Sequence, residues 1–596
     1  MTEERSKPCG LIGTIASDNI SWGPGRTRKS RGISFGIKKS QRRVADGGSV
    51  KNTAGRFLVV SMVVWTFCSW GCRGPKSDLE PVTAQEIESH IRFLSDDLLE
   101  GRAVGSKGIG IAENYQEDLF KTFGLEPLFG SIYRQAFSLR GTQPDRDASL
   151  EVFSEKVKIV PVIFDDFVVN TEREDRPEEV IGELVYCGYL IQAPEKHWDD
   201  IKGADLKGKV LLCEINEPGN VPGGIFDGED MTYYGRWTYK FEKAAELGAA
   251  GVLIVHNTKG AAYGWDVVRN SWAKETFFLP DKGPSLYFQG WLSEAAARTV
   301  FNSVKLDREE LLAGAETPVF TPVPLGLRVK IRQNPSFRTV SAQNVAGLIR
   351  GKGREAKDRY IIISAHYDHL GRDENLAGDQ IYNGAVDNCS ATASMLALAA
   401  YYAQRPEALK ANLVFAAVTA EEHVMLGSDH FARHLPFPES AVLADINLEM
   451  TNVWGETEDV FAIGARHSDL DEVCRQAADA LGLRYTPERN GELGFFFRSD
   501  QVSFARAGIP AVWLHQGIVS KGEDKGFVHR KFEEYRDFKY HKVTDEIGDD
   551  WDYRGALEII RWVQEIIKLL QDRPDLPQFK PDSAFRRKSP SSGLAK

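Results

Sequence analysis

Residues 361–390, IIISAHYDHLGRDENLAGDQIYNGAVDNCS, decide how the chain is read. The β-branched, apolar run at 360–363 predicts a buried strand. His366 and Asp368 follow it directly, then a polar, glycine-containing loop, then Asp387-Asn388. The Ala- and Leu-rich segment ATASMLALAAYYAQ at 391–404 predicts a helix, with Ser390 as its cap. A rigid opening beyond the carboxyl end of a sheet is where metal ligands are wanted.

Working outward, three more segments carry carboxylates or histidine to similar places. A strand predicted at 412–419 runs into Ala-Glu-Glu-His, so Glu421 and Glu422 stand at its end. Adjacent side chains there point in different directions, leaving one to ligate and one free. A strand at 441–448 ends at Glu449, and Tyr540-His541 lies in a loop before the last helix. His366 offers an imidazole nitrogen, and Asp368 is placed to hold the other ring nitrogen in its tautomer. Asp387 has two carboxylate oxygens, enough to bridge two ions. Taken singly, His-x-Asp reads as a surface loop and Glu-Glu as a solvated face. Their arrival at successive strand ends of one α/β unit favours a two-metal hydrolase. Three carboxylates and two neutral imidazoles leave a pair of divalent ions one positive charge, which a hydroxide would cancel. This donor mixture suits zinc, with manganese or cobalt as substitutes.

The blocks SAHYDHLG, YNGAVDNCSAT, TAEEHVMLGS, INLEM and YHKVTDEI, in that order, resemble the signature of the co-catalytic di-zinc peptidases. That family includes the bacterial leucyl aminopeptidases, glutamate carboxypeptidase and, as a non-catalytic relative, the transferrin receptor. The resemblance implies two zinc ions per chain held by His366, Asp387 (bridging), Glu422, Glu449 and His541, with Glu421 as general base. Glu449 stands where the family often has Asp. A cis bond at Asp387-Asn388 is also implied. Tyr540 becomes a candidate donor to the oxyanion, and Asp545 a candidate to orient His541 or brace its loop. In the block GELGFFFRSDQ, Arg498 and Asp500 are read either as substrate contacts or as a bracing ion pair. The implied fold is a mixed-sheet α/β/α peptidase domain, interrupted by a β-rich protease-associated domain.

Composition bounds the partners. The 596 residues carry a net charge of −11, and 42% are hydrophobic, enough for a large core. Residues 1–56 hold 12 basic and 4 acidic side chains, leaving −19 on the remainder. An acidic body argues against nucleic acid. Residues 1–56 read as a disordered basic leader, and 57–75 as a signal peptide or anchor. The apolar run at 57–70 is 14 residues, short for a membrane span. Export follows as an expectation: periplasmic, secreted or in the cell envelope, with Cys72 as a lipoprotein attachment point and the N-terminus as the route of any membrane attachment. The first part of the peptidase domain is placed at 78–140, the inserted domain at 141–336, the second part with the metal site at 337–573, and a disordered tail at 574–596. The seven cysteines show no disulfide framework. Within the first part, Glu100-Gly-Arg102 reads as a structural turn or a substrate contact.

An aminopeptidase acting on peptides is the favoured function. A carboxypeptidase on the same site would need a cationic pocket, for which Arg372 and Arg498 are candidates. A receptor-like relative without catalysis is disfavoured, because the ligand set and Glu421 are complete.

Overall fold

The computed structural model describes residues 81–587 apart from 220–222 and 354–357. The leader, the apolar run at 57–70 and the last nine residues lie outside the described residues. The described residues form one compact unit. Among the described residues, no helix is long and apolar enough to cross a membrane.

The run predicted as a buried strand is Tyr360–His366, near the middle of a ten-stranded mixed sheet. It pairs in parallel with Asn412–Val418 on one side and Val442–Asn447 on the other. Val442–Asn447 pairs in parallel with Ala511–Gln516. Antiparallel strands flank this centre: Ser336–Ile349 with Arg134–Gln143 on one side and Asp459–Ile463 on the other. The side-chain period of two sends Ile361 and Ile363 to one face and Ile362 to the opposite face. Ile361 and Ile363 join a core with helices Ala84–Leu94, Ala391–Ala403 and Arg554–Asp572. Ile362 packs with Phe431 and Phe504, from helices Leu426–Arg433 and Gln501–Ala507. Both faces are therefore covered, which is why the central strands are apolar without alternation. The α/β/α mixed-sheet reading is correct.

The inserted segment builds a second, eight-stranded sheet, beginning with Ser149–Phe153 and closing with Val323–Arg332. Its centre is parallel (Glu179–Tyr186, Val210–Glu214, Gly251–Val255, Phe288–Leu292) and its edges antiparallel. Arg134–Gln143 stays in the first sheet beyond residue 141, and Thr276–Phe278 crosses back from the insertion to pair with it. The insertion also touches the loop after the sheet. Met231 N–H donates to the Gly491 carbonyl at 3.0 Å, and Arg466 pairs with Asp230 at 2.7 Å.

Two local expectations need correction. Ser390 precedes the helix Ala391–Ala403, but its hydroxyl does not cap it; it donates to the Val386 carbonyl at 2.8 Å, inside the turn. The tail is ordered as far as it is described: Phe585 is buried among Phe496, Phe497 and Phe579, and Arg587 donates to the carbonyls of Val442 and Leu443. Two phenylalanines in an otherwise polar segment supply the anchor that average composition hides.

Candidate metal centre

The carboxyl ends of the three central parallel strands converge on one buried polar cluster. His366 closes the first strand, Glu421 and Glu422 follow the second, and Glu449 follows the third. Asp387 comes from the turn before helix Ala391–Ala403, with a cis bond to Asn388. His541 comes from the loop after Phe527–Phe538.

The two oxygens of Asp387 face two separate partner sets. Oδ1 lies 3.3 Å from His366 Nε2, which is also 3.3 Å from Glu449 Oε1. Oδ2 lies 3.3 Å from His541 Nε2, which is 3.0 Å from Glu422 Oε2. Ligands about 2.0–2.1 Å from a tetrahedral ion stand about 3.3 Å from one another. Each set thus has the spacing of a coordination shell, with Asp387 common to both. The longer Glu449 side chain reaches its place, where Ser499 donates to Oε2 at 2.9 Å. Glu421 Oε2 is further away, 3.8 Å from His366 Nε2.

The second tier of contacts differs in detail from the sequence reading. His366 Nδ1 lies 3.2 Å from the main-chain carbonyl of Asp368, closer than the 3.7 Å to its carboxylate. The Asp368 carboxylate instead accepts the backbone N–H groups of Glu421 (3.1 Å) and Glu422 (3.4 Å), fixing the turn that carries both. Asp545 does not touch His541. It accepts the N–H groups of Val386 (2.9 Å) and Asp387 (3.1 Å) and the Tyr535 hydroxyl (3.0 Å).

Arg102 resolves the ambiguity of Glu100-Gly-Arg102 in favour of structure. It is 1% exposed and donates to the carbonyls of Leu94, Tyr367 and Asn383. That guanidinium ties the His366 strand end to the loop leading to Asp387. Asp500 is likewise no surface contact. It is fully buried, neither of its oxygens has a hydrogen-bond partner among the described residues, and burial pushes its carboxyl up to about 7. Arg498 is exposed, 5.9 Å over the Phe495 ring, and no ion pair joins it to Asp500 among the described residues. Arg372 is exposed and held by Gln380 at 2.7 Å. Tyr540 stacks on His541 with ring centroids 4.0 Å apart. Desolvation of its hydroxyl, with Asp387 and Glu422 nearby, raises its pKa well above the ordinary phenol value. Cys389 is buried, and burial pushes its thiol up to about 11, away from nucleophilic use.

One residue was missed. His369 is 1% exposed, its Nδ1 lies 2.6 Å from Glu422 Oε1, and its Nε2 has no partner among the described residues. With Asp387 and Glu422 it forms a group whose ligand atoms lie within 4.8 Å of one another. Gly384, at φ 58°, makes room: a Cβ there would strike the His369 ring. The signal was present as the second histidine of His366-Tyr-Asp-His369.

The paired glutamates titrate in opposite directions. Burial, with Glu449 and Asp500 adding, outweighs His366 and holds Glu421 well above the ordinary carboxylate range. Burial also acts to raise Glu422, but His541 and His369 overcome it and hold that carboxyl well below. Burial would lower His541; Glu422 and Asp387 instead raise it to about 10. So many buried carboxylates repel one another unless cations sit among them. The donor set fits two divalent ions.

Comparison with known proteins places this arrangement. Residues 344–565 match the model of peptidase family M28. Aminopeptidase YwaD of Bacillus subtilis (strain 168) is 28% identical over 330 residues, 55% of this chain and 57% of that protein. A probable zinc metalloprotease of Pyrenophora teres f. teres (strain 0-1) is 37% identical over 100 residues, 17% of this chain and 21% of that protein. The matched stretches thus span under two thirds of these curated relatives. Among solved structures, an aminopeptidase from Aneurinibacillus sp. strain AM-1 aligns over 82% of this chain and 93% of its own, at 20% identity and a TM-score of 0.47. The match to the peptidase family M28 model takes in His366, Asp387, Glu421, Glu422, Glu449 and His541, so residues 344–565 are similar to that family over the whole of the strand-end cluster.

Proposed function

We propose that the protein is a zinc-dependent aminopeptidase with two ions per chain, releasing N-terminal residues from peptides. One observation carries the reading: the two oxygens of Asp387 each face their own histidine–carboxylate pair, His366 with Glu449 and His541 with Glu422. Zinc is the metal named for two of the similar proteins, the Pyrenophora metalloprotease and a Bacillus subtilis aminopeptidase of known structure. At such a site bound zinc supplies Lewis acidity and a water acidified towards neutral pH.

The chain's own residues supply the rest. Glu421, which stands outside both histidine–carboxylate pairs, would accept a proton from water as a carboxylate and return it to the leaving amine. Glu422, held ionised by two imidazoles, serves as a ligand. Tyr540, kept neutral, donates a hydrogen bond to the developing oxyanion. Asp368 and Asp545 fix the backbone turns that carry the glutamates and Asp387. Next to Glu449, a cavity of about 270 Å³ has an apolar wall of Met450, Phe461, Phe495 and Trp513, with Arg489 and Glu533 also on its lining. It is suited to an apolar side chain at the peptide's first position. The inserted sheet, docked on the loop around Gly491, shapes the rim of the cleft and is read as a protease-associated domain. Export through 57–75 belongs to this proposal on sequence grounds, and N-terminal sequencing of the mature chain tests it.

The deciding assay compares the same peptide with a free and an N-acetylated amino terminus. Hydrolysis of the free form only, lost on chelation and restored by zinc, is expected. Equal hydrolysis of both, or release of C-terminal residues, overturns the aminopeptidase reading. The carboxypeptidase alternative would draw on Arg372, which is hydrogen-bonded to Gln380, or on exposed Arg498, which lies over the Phe495 ring.

A further inference from the structure

A second group of ligating side chains lies away from the strand ends. His430 and His434 stand four residues apart at the end of helix Leu426–Arg433, so the helical period puts both imidazoles on one face. Their rings stack with centroids 4.2 Å apart, and Phe137 packs on the other side of His430 at 4.5 Å. Asp281, from the inserted segment, reaches the same point. Its Oδ2 lies 3.6 Å from His434 Nε2, and one ligand atom from each of the three residues falls within 4.8 Å of the others.

The protonation pattern suits a ligand set better than a salt bridge. His434 Nδ1 lies 2.8 Å from the His430 carbonyl and donates to it, which leaves Nε2 as the lone-pair nitrogen towards Asp281. Burial, with His434 and Arg433 adding to it, lowers His430 to about 4, so its imidazole is neutral at physiological pH. Its Nδ1 is buried without a hydrogen-bond partner among the described residues. At 3.6 Å the His434–Asp281 pair is too long for a hydrogen bond, yet within a few tenths of an ångström of the separation of two ligands on one tetrahedral ion. The competing cation is Arg433, 3.5 Å from Asp281 Oδ2 and 3.2 Å from Asp429. It is shared between two carboxylates, and among the described residues no ion pair engages Asp281 Oδ1.

We propose that Asp281, His430 and His434 form a further site for a zinc-like divalent ion, completed by water. The ion clips the 279–285 loop of the insertion onto the helix that follows the Glu421–Glu422 turn. Because only this helix bears the histidines and only the insertion bears the aspartate, binding would fasten the second sheet against the peptidase core.

Zinc titration of the holoenzyme by calorimetry tests this independently of how many ions the strand-end site holds. The wild-type protein is expected to take up one additional equivalent and to gain thermal stability as it does. His434→Ala and Asp281→Asn are expected to lose that equivalent and the stability gain, while hydrolysing peptides at the wild-type rate. Asp281→Asn keeps the helix intact and so separates loss of a ligand from misfolding. No additional equivalent in the wild type, or the same uptake in both variants, overturns the site.

Discussion

The backbone N–H of Asp387 donates to the carboxylate of Asp545, 158 positions further along the chain, at 3.1 Å. The Val386 N–H and the Tyr535 hydroxyl converge on the same carboxylate. The turn that presents the Asp387 carboxylate is thus held by a residue that makes no contact with that carboxylate's own histidine partners. Asp545→Asn keeps the shape but removes one acceptor and a negative charge. We expect metal affinity to fall about 10- to 100-fold with the far-ultraviolet circular dichroism unchanged. Competition against a chelator measures it, and an unchanged affinity would reduce Asp545 to loop packing.

The roles proposed for Glu421 and Glu422, general base and ligand, are separable by substitution. Glu421→Gln should cost about 10²–10⁴-fold in turnover, the range for a positioned general base, with zinc content intact. Glu422→Gln should lose zinc, with activity partly returning in excess zinc. Metal loss in the first variant and retention in the second would exchange the two roles.

Arg102→Met removes a buried cation that serves four main-chain carbonyls, three of them at 2.8 Å or less. Each stranded acceptor costs about 1–3 kcal/mol, so destabilisation of at least about 3 kcal/mol is expected in urea unfolding. A loss below 1 kcal/mol would mean that water or a neighbour replaces the guanidinium.

Acid should weaken the fold before the carboxylates titrate. His467 and His515 are buried, and burial lowers them to about 3 and about 4. Between those values and 6.5 the unfolded chain binds more protons, so stability is full above pH 6.5 and is lost as pH falls towards 4. From pH 6.5 to 5 each group forfeits roughly 2 kcal/mol. His515→Gln should flatten this slope relative to the wild type. Identical slopes would show that His515 is not held neutral.

Much of this site was legible because its ligands sit where strands end. Apolar runs at 360–363, 412–418 and 442–447 locate three strand ends, and polarity changes sharply at His366, Glu421 and Glu449. What escaped depends on contacts distant in sequence. Nothing local says that Arg102 spans 265 residues to the Tyr367 carbonyl, or that Asp545 holds the Asp387 turn instead of His541. His369 escaped because a residue three positions beyond His366 in an extended chain is expected on the opposite side; the missing Cβ of Gly384 leaves room for its ring beside Glu422. The insertion's strands were legible as elements, but the return of Thr276–Phe278 to the first sheet is a tertiary pairing without local signature.

In the proposed site Asp387 is shared by two metal shells. The most direct measurement is zinc content per chain by elemental analysis, in the wild type and in His366→Ala, His541→Ala and Asp387→Ala, each in the His434→Ala background to remove the Asp281–His430–His434 group. The account predicts about two equivalents in the parent, about one after loss of either histidine, and close to none without Asp387. A single equivalent in a fully active parent, or loss of only one on removing Asp387, would contradict it.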